Sequence, residues 1–215
     1  MRHVATKEQL RHVLIFSYSF LTVAAVWILI QRNYEFLLYL AVMSLIIVAV
    51  LGVYRRAGLS RALLWGFSLW GLAHMIGGLA PIPDTWHTAD TTGVFYNWRI
   101  IPGYVKYDQL VHGCGVGLVT WLCWQALASR TRSRDGGPLQ PTLGMLGICA
   151  TGGMGFGALN EVIEFFATMI IPQNNIGDYQ NTGWDLVANL IGAVITAILI
   201  RQVWHHQTKT HNQPT

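Results

Sequence analysis

The stretch GALNEVIEFFATMII, residues 157–171, is apolar enough to lie in a bilayer, yet it carries two glutamates, Glu161 and Glu164, three positions apart. A carboxylate near the centre of a membrane helix costs about 2.5 to 3.5 kcal/mol on insertion scales. A chain that tolerates two of them must supply partners. The segment therefore reads as a transmembrane helix whose acidic face is turned toward other helices.

The rest of the chain supports a membrane setting. Its 215 residues are 53% hydrophobic and only 11% charged, and they include nine tryptophans. Six apolar windows approach or exceed the roughly 20 residues that cross a hydrocarbon core of about 30 Å. They fall at about 13–30, 36–53, 62–80, 109–128, 142–171 and 184–200. The expected fold is an all-α, polytopic membrane bundle of six transmembrane helices, with residues 1–215 forming a single integral domain and a flexible tail over 204–215. The first window follows Arg2, Lys7 and Arg11, but no small-residue cleavage site precedes Gln31 and Arg32, so it reads as a retained helix.

Charge between the windows orients them. Eleven of the fourteen Lys and Arg fall in the N-terminus, the second and fourth connections and the C-terminus, against Arg32, Arg99 and Lys106 on the other side. The positive-inside rule places both termini in the cytoplasm. The basic balance, with a pI near 9.1, is thereby explained without a nucleic-acid partner. The third connection, 81–107, is rich in Trp and Tyr, the composition of an interfacial segment on the outer side. Cys114, Cys123 and Cys149 lie inside spans at no metal-type spacing and read as small buried residues without a disulfide.

Polar residues inside the spans fall on single helical faces. Gly153, Gly157, Glu161 and Glu164 form one stripe on the fifth helix, and Asp185, Asn189, Gly192 and Thr196 form another on the sixth. The fourth opens with YDQLVHGCG, which puts Asp108 and His112 four apart; the third carries Gly71, His74, Gly77 and Gly78. At about 1.5 Å per residue all these ionisable groups lie within roughly 15 Å of the outer helix ends. Four helices are expected to meet at one level in the outer half of the membrane.

Three readings of that cluster stand side by side. In the first, His74, His112 and Glu161 hold zinc or another divalent metal, Glu164 is a general base, and Asp185 and Asn189 position substrate or water. Asp108, Tyr107, Asp178 and His87 then support or cover the site. A lipid or lipid-linked substrate fits an opening at headgroup depth bordered by Trp-rich chain. The second reading is a ligand binder or proton-coupled carrier in which Glu161 and Glu164 share a proton. In the third, the cluster only specifies helix packing. The sequence leaves open whether the chain is an enzyme.

Taken together, HMIGG (74–78), YDQLVHGCG (107–115), NEVIEF (160–165) and GDYQNTGWDLVANLIGA (177–193) resemble the YjdF-type family of bacterial inner-membrane proteins, which has no established biochemical function. The resemblance covers roughly residues 60–200. It implies about six spans, a multi-pass inner-membrane location, and a site at His74, Asp108, His112, Glu161, Glu164, Asp178 and Asp185. Where members of that family often carry a further Asp, this chain has Asn181. The NLIGA end of the last motif also looks faintly similar to VanZ-like membrane proteins.

Overall fold

The computed structural model describes residues 4–83, 85–86, 93–133, 136–171, 174 and 176–211. It contains six helices: α1 (Lys7–Gln31), α2 (Tyr34–Ala57), α3 (Arg61–Leu79), α4 (Tyr107–Arg130), α5 (Leu143–Ile170) and α6 (Tyr179–His211). All six are long and apolar enough to cross a membrane, as the sequence predicts. Between α3 and α4 stand a short 3-10 turn, Phe95–Asn97, and an antiparallel hairpin of β1 (Arg99–Ile101) and β2 (Val105–Lys106).

Local signals set the helix starts. Thr6, Asn33, Ser60 and Thr142 each accept a backbone N–H from the first turn of α1, α2, α3 and α5, satisfying a donor that the helix leaves unpaired. Asp178 does the same for α6 through Asn181 N, 3.0 Å away. Its cap lets α6 begin five residues before the apolar window. The same helix continues to His211, into the segment expected as a flexible tail, because nothing between Trp204 and His211 breaks it.

Where the sequence predicts only an interfacial loop, the chain forms this hairpin. Its turn, Ile101-Pro102-Gly103-Tyr104, has proline second and glycine third, with Gly103 at φ +81° and Tyr104 N bonded to Ile101 O at 3.0 Å. That is the signature of a type II turn, legible in the sequence. β2 runs without a break into α4, so the hairpin sits directly above the site.

At the hairpin end of the bundle Lys106 reaches Asn181, whereas at the opposite, basic end Arg130 reaches the Arg56 carbonyl. α4 is the central helix and packs against α3, α5 and α6. Its closest partner is α6. A β-carbon on Gly192 would lie 1.9 Å from the Gly113 carbonyl oxygen, and one on Gly113 would lie 2.9 Å from the Ala188 carbonyl oxygen. The two backbones touch because neither side has a side chain there. On the other flank α1, α2 and α3 share apolar cores around Ile28, Phe36 and Met75, and around Leu59 and Leu63. Large apolar side chains such as Phe156, Phe165, Ile191 and Ile198 point outward, as a lipid-facing surface requires.

Gly192→Ala is expected to push α4 and α6 apart and to destabilise the protein by about 2 kcal/mol, read as a lower thermal midpoint in detergent. At Gly52, where nothing lies within 4 Å of an added β-carbon, the same change gains helix propensity of up to about 1 kcal/mol. Equal midpoints for the two variants would refute the backbone contact.

Candidate functional site

The α4–α6 contact places His112, one residue before Gly113, beside the acidic start of α6, and α5 closes the group from a third side. His112 Nδ1 lies 3.3 Å from Glu161 Oε1, and Nε2 lies 3.5 Å from Asp108 Oδ1 and 3.7 Å from Glu164 Oε1. Two sets of potential metal ligands result, Asp108–His112–Asp185 and His112–Glu161–Glu164, each with its ligand atoms within 4.8 Å of one another. The i, i+4 spacing of Asp108 and His112 and the i, i+3 spacing of Glu161 and Glu164 bring each pair to one face.

Most of these carboxylates are held by a neighbour through one oxygen. Lys106 Nζ lies 3.6 Å from Asp108 Oδ2, Asn181 Nδ2 donates to Asp185 Oδ2 at 2.5 Å, and Asn160 Nδ2 donates to Glu164 Oε1 at 2.7 Å. Lys106 also donates to Asn181, which links β2 to α6. Other buried atoms accept or donate no hydrogen bond: both oxygens of Glu161, Oδ1 of Asp185, both amide atoms of Asn189 and Oγ1 of Thr120. Asp185 and Asn189 have 0% exposure and Glu161 only 8%. Each unpaired group of this kind costs roughly 1 to 3 kcal/mol, and more when charged. Asn189 and Thr120 rest on the glycine stripe of α5, against Gly157 and Gly153. The polar face thus continues inward for two turns below Glu161, carried by α4 and α6.

His74 stands apart. Among the described residues it belongs to neither ligand set, so the expected grouping of His74 with His112 and Glu161 is not brought together. Its Nδ1 is bonded to the Tyr96 hydroxyl, and its ring stacks on Trp70 and meets Phe36 and Tyr39. The cause lies in HMIGG. Gly77 and Gly78 open sockets for the Tyr96 and Phe36 rings, since a β-carbon would come within 2.4 Å of the first and 1.6 Å of the second. These rings draw the histidine into an aromatic wall. Burial pushes the Tyr96 phenol well above its ordinary pKa, so it remains a neutral partner.

The family model described as "Predicted membrane protein (DUF2238)" matches residues 13–206. The chain belongs to this family. It is the YjdF-type family to which the four motifs point, and the match reaches all six helices and includes both ligand sets. No curated protein and no solved structure matches the chain.

Other residues expected at the site of this DUF2238 protein have plainer positions. Asp178 is exposed and caps α6. Tyr107 donates its hydroxyl to Ala73 O at 3.0 Å, tying α4 to α3, and its ring meets Phe95 and Tyr96. His87 lies outside the described residues. Sequence reasoning missed Lys106, Asn181, Asn160, Tyr96 and Thr120 as participants. A signal existed for three of them. Asn181 and Asp185 are four apart, as are Asn160 and Glu164, and Lys106 is a solitary cation two residues before Asp108. Tyr96 had none, because its partner is 22 residues away.

Tyr96→Phe removes the hydroxyl bonded to His74 and keeps the ring in its socket. It is expected to lower stability by about 1 kcal/mol, seen as a lower thermal midpoint in detergent. An unaltered midpoint would show that the bond does not anchor the 93–106 segment.

Proposed function

We propose that the protein binds a divalent metal ion between His112, Glu161 and Glu164, and that it is a metal-dependent hydrolase of a lipid or lipid-linked substrate in the bacterial inner membrane. The observation that carries the proposal is Glu161. Both of its oxygens are buried and lack a hydrogen-bond donor, while Oε1 lies 3.3 Å from His112 Nδ1. A carboxylate so placed in low dielectric needs a positive partner, and a cation sharing the imidazole is one.

The donor set suits such an ion. Imidazole nitrogen and carboxylate oxygen are both donors that zinc accepts, and fewer than four protein ligands leave room for water or substrate. A bound ion there would supply a Lewis acid and a water of lowered pKa. The chain's own groups do the rest. Asn160 fixes Glu164, whose spacing suits a base and whose place in the ligand set favours a ligand. Asn189, with both amide atoms unpaired one turn below Glu161, is placed to hold a hydroxyl or carbonyl of the substrate.

The substrate class rests on position. The site lies within the hairpin-end half of the bundle, and Trp86, Phe95 and Trp98 cluster on the segment before the hairpin. That composition suits the headgroup level of a bilayer. The charge distribution of the sequence turns this end away from the cytoplasm.

Elemental analysis of purified protein, beside Glu161→Gln, tests the reading. Wild type is expected to retain at least one divalent ion per chain and the variant to lose about ten-fold or more in affinity, the scale of a lost ligand or its support. Wild type that retains no metal and takes none up on titration would remove the metal, and with it the hydrolase.

A further inference from the structure

Asp108, His112 and Asp185 form a second ligand set that shares only the histidine with the first and carries its own unpaired buried oxygen; Asp108 Oδ1 and Glu164 Oε1 lie on the Nε2 side of the ring and Glu161 Oε1 on the Nδ1 side. We propose that the centre is dinuclear, with a second divalent ion held by Asp108, His112 and Asp185, and that His112 bridges the two ions through its two ring nitrogens. This rests on the metal reading above and extends it.

The argument starts from the way the two aspartates are held. Each has one oxygen engaged from outside the site: Asp108 Oδ2 lies 3.6 Å from Lys106 Nζ, and Asp185 Oδ2 accepts from Asn181 Nδ2 at 2.5 Å. The other oxygen of each is free of these outer groups. Asp108 Oδ1 lies 3.5 Å from His112 Nε2, while Asp185 Oδ1 has no hydrogen-bond partner on a residue with 0% exposure. Lys106 and Asn181 therefore do for these aspartates what outer groups do for metal ligands generally: they fix the carboxylate and leave its second oxygen to the ion. Glu161, on the opposite ring nitrogen, is unpaired independently.

The charges of a dinuclear centre close. Asp108, Glu161, Glu164 and Asp185 bring four negative charges and Lys106 one positive. With two divalent ions bound, His112 is an imidazolate, its ring N–H proton having left to bulk water as the second ion enters. Negative and positive charges then balance. Two ions near one substrate also fit hydrolysis of a phosphoester, since one ion polarises the phosphoryl group while the other activates water.

Full-length protein in detergent, stripped with chelator and titrated with zinc chloride, gives the decisive count. Two equivalents per chain are expected for wild type and one for Asp185→Asn. No binding overturns the metal reading itself; one equivalent in wild type, or two in the variant, overturns only the dinuclear proposal. Where Asp185→Asn fails to fold, wild type loaded with manganese(II) decides. A spectrum of two exchange-coupled ions supports the bridge, and an isolated-ion six-line spectrum overturns it.

Discussion

The contact of the α4 and α6 backbones at Gly113 and Gly192 is the constraint from which the rest follows. At that distance no side chain separates the helices. Residues on the hairpin side of that contact must then face one another: His112, next to Gly113 on α4, and Asn189 and Asp185, about one and two turns before Gly192 on α6. A larger residue at either glycine would hold the helices apart by an added carbon and remove Asp185 from reach of His112. The glycines therefore do two things at once. They supply close packing where lipid gives no hydrophobic drive, and they set the spacing of the polar cluster.

Four carboxylates at this depth would disrupt a bundle unless each were compensated, and the compensation is graded. Lys106 offsets Asp108; Asn181 and Asn160 each satisfy one oxygen of Asp185 and Glu164. Glu161 has none of this support beyond His112. A network built only to specify packing would pair every buried acid, because leaving one unpaired costs more than any neutral hydrogen bond returns. Glu161, buried with both oxygens unpaired, departs from that pattern. The acids nearest the hairpin end are braced, and unpaired atoms are concentrated around the histidine and below it.

Much of this was legible before any coordinates. The spans follow from bilayer thickness and from the apolar run lengths, and the faces carrying Glu161 with Glu164 and Asp108 with His112 follow from helical spacing, a local rule. The sequence could not show azimuth relative to other helices. His74 has the depth and the chemistry of a ligand, but depth alone does not say which neighbour it turns to, and the sockets at Gly77 and Gly78 turn it to rings from α2 and the 93–106 segment. Lys106 was read as an exception in a charge count because its partner Asn181 lies 75 residues on. The cap Asp178 shows the converse error: a residue carried over with a motif has a local role that its position before a helix already explains.

The hairpin is part of the site's wall. One of its attachments is Tyr96, seated on Gly77 and bonded to His74; the other is β2, whose last residue, Lys106, adjoins α4 and reaches across to α6. The segment thus joins α3, α4 and α6 at the end where the acids begin. A shift of the β1–β2 register by one residue would turn Lys106 to the other side of the strand, strip Asp108 of its cation and free Asn181 from its second bond. The type II turn at Pro102 and Gly103 is what prevents such a slip. A two-residue element outside the membrane therefore helps determine the charge balance of a site within it, and the aromatic composition of the segment is matched to that position between headgroups and protein.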